Sequence, residues 1–161
     1  MTKFLLSLHV LAAILAVGPV TVAASMFPAA VRRVPVAVTA GGGDGADAWD
    51  VGTVRLLHRI CRVYAGLGIA VPVLGFATAA SMGVLGDAWL VASITLTAVA
   101  AGLLAAFVLP RQEELLEQLT DRQPVERAVT ARLAMFTGVF NLLWATVTVL
   151  MIVRPGSTTG A

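Results

Sequence analysis

Four long apolar stretches, separated by shorter polar segments, dominate the chain. They cover residues 5–28, 60–82, 89–109 and 133–153, and Arg62 is the only charged residue inside them. A helix rises about 1.5 Å per residue, so about 20 apolar residues cross a hydrocarbon core of about 30 Å. The pattern predicts an all-α, polytopic membrane protein whose 161 residues form a single integral membrane domain, a four-helix transmembrane bundle.

Composition agrees with this pattern and excludes several classes of protein. Hydrophobic residues make up 58% of the chain and charged residues 12%, whereas soluble domains are about a quarter charged. A formal net charge of +2 gives no reason to expect nucleic acid as a partner. The single cysteine, Cys61, excludes a disulfide within the chain.

The polar segments predict where the helices end. The first helix is expected to end at Pro28, directly before Arg32 and Arg33, and Pro110 is expected to close the third. Glycines at 41, 42, 43 and 45 predict a mobile loop, in which three aspartates are solvated acids. Residues 111–132 predict a short cytoplasmic helical segment between spans 3 and 4, with leucines at 115, 116 and 119 as its apolar edge. A bend is expected in the second span, which contains three glycines and Pro72.

The distribution of basic residues predicts the orientation. Lys3 and Arg154 lie on one side of the four spans, and the other nine basic residues lie in the two long loops or near them. Basic residues are retained on the cytoplasmic side, so we expect a bacterial plasma (inner) membrane protein with both termini outside and both long loops cytoplasmic. This count also favours a retained first helix over a cleaved signal peptide. Cleavage would leave three spans and an N-terminus outside the cell, and the basic loops could then not face the cytoplasm.

Several residues are candidates for lipid contact or helix packing. Five arginines flank the loop between spans 1 and 2 and are expected to form a collar for anionic lipid headgroups: Arg32, Arg33, Arg55, Arg59 and Arg62. Four polar residues inside the spans are expected to face neighbouring helices: Asn141, Thr137, Ser93 and Thr97. Membrane lipids and either other membrane proteins or further copies of the chain are therefore the expected partners.

Among the residues inside the spans, His9 has a side chain that can take part in the widest range of reactions and contacts. A neutral imidazole can bind haem iron, relay protons, or simply hydrogen-bond to a neighbouring helix or a headgroup. His58 is expected to lie near the opposite membrane face, too far away to share one haem with His9. His58 and Cys61 are three residues apart, but two ligands make a weak site and we predict no metal site there.

The chain also resembles a class of small, actinobacterial-type four-helix integral membrane proteins. The matching residues are Leu8-His9, Gly18, Phe27-Pro28 and the basic pair that follows, together with the arginine-rich entry to the second helix. The class includes predicted integral membrane families, copper-resistance D-like domains and HemJ-type protoporphyrinogen oxidases. In the HemJ type the histidine of the first helix is implicated in haem binding, so the resemblance implies His9 as an axial ligand. That type also has an intramembrane lysine, which this chain does not contain after Lys3.

Two functions follow as hypotheses. The first is a non-catalytic accessory or assembly subunit of a larger membrane complex, with a respiratory assembly as one possibility, because no nucleophile–base pair, phosphate loop or intramembrane carboxylate occurs in the sequence. The second is a haem-binding membrane redox protein with His9 as axial ligand.

Overall fold

The computed structural model describes residues 2–39 and 44–156, with side chains at residues 2–34 and 51–156. The helices are α1 (Thr2–Thr39), α2 (Asp44–Leu67), α3 (Ala70–Met82), α4 (Ala88–Leu103), α5 (Leu109–Thr120) and α6 (Arg127–Val153). A π-helical turn, Leu104–Val108, joins α4 to α5. No strand occurs in the described ranges.

These helices give four rods that are long and apolar enough to span a membrane. The rods are Thr2–Val34, Val51–Met82, Ala88–Thr120 and Arg127–Val153, which confirms the predicted all-α transmembrane bundle. The shortest uncharged run within a rod, residues 63–82, is about 30 Å long at 1.5 Å per residue. Each rod can therefore cross a hydrocarbon core of about 30 Å without placing a charge in it.

Helix α1 is the centre of the bundle. It packs against α2 and α3 along most of its length, against α6 on another face and against α5 near the loop side, while α4 packs mainly against α6. Its buried positions form one stripe at helical spacing: Val20, Ala23, Ala24, Phe27, Val31 and Val34. Phe27 and Val31 are fully buried. Because lipid tails are as apolar as these side chains, close packing rather than removal from water holds such an interface together.

The predicted end of the first helix at Pro28 is wrong. α1 continues to Thr39, and Pro28 is itself buried. Proline removes one backbone hydrogen bond and clashes with the preceding turn. The buried stripe nevertheless continues on the far side of Pro28 with Val31 and Val34, in the same core as Val54 of α2. Tertiary packing along this stripe outweighs the local cost of the proline.

The second span is interrupted between α2 and α3, in the segment where the sequence predicts a bend. The Pro72 ring would clash with the carbonyl of Gly68, four residues earlier. The chain instead makes tighter turns there, with Val71 N donating to Gly68 O at 3.1 Å and Ile69 N donating to Gly66 O at 3.2 Å. A Cβ on Gly68 would come within 3.0 Å of the Ala65 carbonyl oxygen, so this turn favours glycine.

The third span does not close at Pro110. α5 includes Pro110 and continues to Thr120. The π-helical turn Leu104–Val108 directly precedes this proline, where its ring would otherwise meet the carbonyl of Ala106. The wider turn removes that conflict, so the helix leaves the membrane without breaking and places α5 against α2.

The remaining connections are short. Gly83 ends α3 in the left-handed conformation, at φ 71°, and α4 starts after Asp87. The segment 121–126 joins α5 to α6. Positions 41–43 of the predicted glycine loop lie outside the described residues, and Gly45 lies within α2. The side chains of the three aspartates lie outside the described ranges as well.

Candidate functional site

His9 bonds to the neighbouring span. Its Nδ1 lies 3.0 Å from the carbonyl oxygen of Val71 in α3. A carbonyl oxygen only accepts, so Nδ1 carries a proton and donates, and in the neutral ring Nε2 has the free lone pair. The ring is half-buried, and Nε2 is the nitrogen that remains for a ligand, a metal or a proton.

Gly75 makes room for the His9 ring. A Cβ at this position would lie 2.9 Å from His9 Cε1 and 3.3 Å from Nδ1. Real Cβ atoms essentially never come that close, so any other residue would displace the imidazole. The ring therefore lies directly on the α3 backbone, and Gly75 and the Val71 carbonyl together fix its orientation.

A second polar group is buried between α2 and α5. His58 Nδ1 donates to Gln112 Oε1 at 3.3 Å, and Gln112 Nε2 donates to Cys61 Sγ at 3.6 Å. Gln112 and Cys61 have no exposed surface, and His58 is 8% exposed. Gln112 thus connects two side chains of α2 and secures α5 to this span.

The sequence interpretation missed Gln112, although the sequence contained a signal for it. Gln112 precedes the apolar edge of α5 at helical spacing, three residues before Leu115 and seven before Leu119, and all three are buried. A polar residue in line with an apolar edge needs a buried partner. Its partners could not be named from the sequence, because they lie 54 and 51 residues away.

The two histidines take part in separate contacts. His58 and Val71, the contact of His9, are 13 residues apart along the second span, which is about 20 Å at 1.5 Å per residue. His9 contacts α3, whereas His58 contacts α5. Among the described residues no three His, Cys, Asp or Glu side chains come together in a geometry that could hold a metal ion.

Asn141 connects α6 to α1 within the membrane. Its Nδ2 donates to Ser25 Oγ at 3.0 Å, and the Ser25 hydroxyl donates to Thr21 O at 2.7 Å. Asn141 Oδ1 and Thr137 Oγ1, one turn apart, are buried without a hydrogen-bond partner. The predicted polar face of the fourth helix thus contacts α1 at Asn141, with two polar atoms unsatisfied.

The polar residues of α4 bond within their own helix. The hydroxyls of Ser93 and Thr97 donate to the carbonyls four residues earlier, at 2.8 and 2.7 Å. Ser93 is fully buried and Thr97 is half-buried. The opposite face of α4 is exposed and carries a stripe of small residues that continues into the π-helical turn. We call this stripe the α4 small-residue face: Thr95, Ala98, Gly102 and, in the π-helical turn, Ala105.

The five collar arginines are all exposed, but they occupy two places. Arg33 lines a groove between α1 and α2, whose other lining residues are Ser25, Met26, Ala29, Ala30, Thr53 and Leu57. Arg55, Arg59 and Arg62 share the face of α2 that points away from Thr53 at 100° per residue. Arg55 to Arg62 is seven residues, about 10.5 Å along the helix, so these arginines extend over a band of that depth.

These features define a small polytopic helical membrane protein. His9 hydrogen-bonds to the backbone of α3, and the buried His58–Gln112–Cys61 group lies about 20 Å further along the second span. Comparison with protein-family models, curated proteins and solved structures gives no match to this chain. The resemblance stated above therefore stays a prediction, and function is argued from the residues.

Proposed function

We propose that this chain is a non-catalytic integral membrane protein that acts as an accessory or assembly subunit in a larger complex of the bacterial plasma membrane. The observation that carries this proposal is the α4 small-residue face. It lies opposite the buried face of α4 and contacts no other helix at Gly102, where nothing lies within 4 Å of a Cβ position. Small residues at this spacing let a second helix approach closely in lipid.

The proposed orientation has both termini outside and the long loops in the cytoplasm. The nine basic residues of the loop side support it, because basic residues are retained on the cytoplasmic side. α5 there carries an exposed Arg111–Glu114 ion pair at 2.8 Å. Reporter fusions at the C-terminus test the orientation: an extracytoplasmic reporter is expected, and a cytoplasmic one contradicts it.

A pair of glycine substitutions tests the partner proposal. Gly102 and Gly66 are both exposed helical glycines with open space at the Cβ position. Gly102→Leu fills the α4 small-residue face, whereas Gly66→Leu makes the same chemical change on α2. Native electrophoresis of the full chain, extracted from its own membrane in mild detergent, is expected to show a larger assembly that only Gly102→Leu disrupts. A single-chain wild type, or equal behaviour of both variants, would refute the proposal.

A second candidate function rests on the His9 geometry. A histidine that ligates a metal commonly donates its other ring nitrogen to a backbone carbonyl, and His9 does so to Val71. His9 would hold a haem iron through Nε2, and the haem would supply one-electron chemistry. The purified chain would then show a Soret absorption band that His9→Ala removes and His58→Ala retains. A colourless protein after expression with sufficient haem contradicts this function.

A further inference from the structure

We propose that the groove between α1 and α2 binds one anionic phospholipid, with the lipid phosphate at the Arg33 guanidinium. This site would be specific and hold one lipid, unlike the general attraction of headgroups to a basic collar. It concerns the lipid-facing side of α1 and does not depend on a protein partner at α4.

The groove has the shape of an interfacial lipid site. It has a volume of about 370 Å³ and is open to the surroundings along one side. Ser25 and Arg33 mark its two ends, and they are eight residues or about 12 Å apart on α1. The Lys3 to Arg32 interval of α1 is about 43 Å long, so it spans both headgroup layers as well as the hydrocarbon core. Arg33 therefore reaches the headgroup level and Ser25 lies closer to the hydrocarbon.

Among the described side chains, the polar end of the groove is positive and has no acidic counter-charge. Arg33 is exposed, and no carboxylate pairs with it among the described side chains. Positions 1–43 and 51–86 of the sequence contain no acidic residue, and the side chains of Asp44, Asp47 and Asp50 between them lie outside the described ranges. The neighbouring Arg32 donates its Nε to the Pro28 carbonyl at 3.1 Å, which leaves the other guanidinium nitrogens for a second contact. A phosphate is the complementary group, because guanidinium–phosphate pairs are charge-assisted and often bidentate.

Apart from Ser25 and Thr53, the rest of the groove lining is apolar. Met26 is 55% exposed and Val22, one turn further into the membrane, is 58% exposed. Ala29 and Ala30 lie between Arg33 and these two side chains, and because alanines are small they leave space along the groove. An acyl chain can therefore follow Met26 and Val22 from a headgroup held at Arg33. A free inorganic anion would leave this apolar wall uncovered, which is why we assign a lipid.

The experiment counts lipids bound to the full chain. The protein is reconstituted in equal amounts of phosphatidylglycerol and phosphatidylcholine, extracted in mild detergent and examined by native mass spectrometry. Arg33→Gln removes the phosphate contact, and Arg59→Gln removes one exposed charge from the opposite face of α2. Ala29→Phe fills the groove, and Ala77→Phe makes the same change at an exposed position of α3. Helix content from circular dichroism verifies that each variant is folded.

We expect one phosphatidylglycerol on the wild type, with occupancy falling about ten-fold or more in Arg33→Gln and Ala29→Phe and unchanged in the two controls. Equal losses in Arg33→Gln and Arg59→Gln would show a general collar and overturn the site. Equal retention of phosphatidylcholine would overturn the role of the charge. Displacement by millimolar inorganic phosphate would show a plain anion site, and an unaffected Ala29→Phe would place the lipid elsewhere.

Discussion

Replacing Gln112 by leucine tests whether the buried His58–Gln112–Cys61 group holds α5 against α2. Leucine is of similar size, so the substitution removes hydrogen bonds without opening a large cavity. It leaves the His58 Nδ1–H, in a residue that is 8% exposed, without its acceptor. A buried donor without a partner costs about 1–3 kcal/mol, and the sulfur contact adds little because thiols bond weakly. The expected loss is therefore about 1–3 kcal/mol in the free energy of unfolding.

A double-mutant cycle isolates the contribution of the hydrogen bond. His58→Leu alone leaves the Gln112 Oε1 atom without its donor, whereas the double variant replaces both partners by apolar groups and is expected to lie within about 1 kcal/mol of wild type. Residues in contact commonly couple by about 0.5–3 kcal/mol. The control is Gln118→Leu, which changes a half-buried glutamine of the same helix and should cost less than about 0.5 kcal/mol.

Equilibrium unfolding in mixed micelles, with increasing mole fractions of a denaturing detergent, gives these free energies when helix content is followed by circular dichroism. Strict additivity of the two single substitutions would refute the reasoning, because uncoupled residues do not share a bond. A Gln112→Leu variant as stable as wild type would also refute it, because then α5 would be held by its leucines alone.

Two further predictions use the same unfolding assay. Gly75→Ala places a Cβ 2.9 Å from the His9 ring, whereas the Cβ of Gly66→Ala meets open space. Both variants gain helix propensity, so the Gly75→Ala protein should be less stable than the Gly66→Ala protein by about 1–2 kcal/mol. Equal stability would mean that the ring moves freely. Asn141→Leu removes the hydrogen bond to Ser25, but it also removes a buried oxygen that has no partner. The free energy of unfolding should therefore change by less than about 1 kcal/mol. A larger loss would indicate an additional partner for this amide.

Much of the fold could be predicted from the sequence because a membrane constrains it so strongly. Four uncharged runs of about 20 residues have few alternatives to helices in lipid, since every backbone group must bond within the span. The ends of the helices could not be predicted by the same argument. Pro28 and Pro110 are strong local stop signals, yet the packing of Val31 and Val34 in one case and a π-helical turn in the other continue the helix.

The candidate sites were less accessible to the sequence. His9 and Asn141 could be singled out because each is a polar residue in an apolar run. The carbonyl of Val71 and the hydroxyl of Ser25 could not be assigned to them, because contacts over 62 and 116 residues depend on which helices become neighbours. The groove at Arg33 is likewise a product of two helices. Its lining residues recur at helical spacing on each helix, but the sequence does not show that these two faces lie side by side.

The sequence by itself determined that the chain is a four-span helical membrane protein, because the solvation of charges and backbone groups in lipid depends on composition and length alone. Only the tertiary structure decided that α1 is central, that His9 rests on Gly75, and that Gln112 joins His58 to Cys61. Those contacts depend on the register and rotation of each helix against its neighbours. Close packing of particular surfaces sets these, and no local pattern along the chain encodes them.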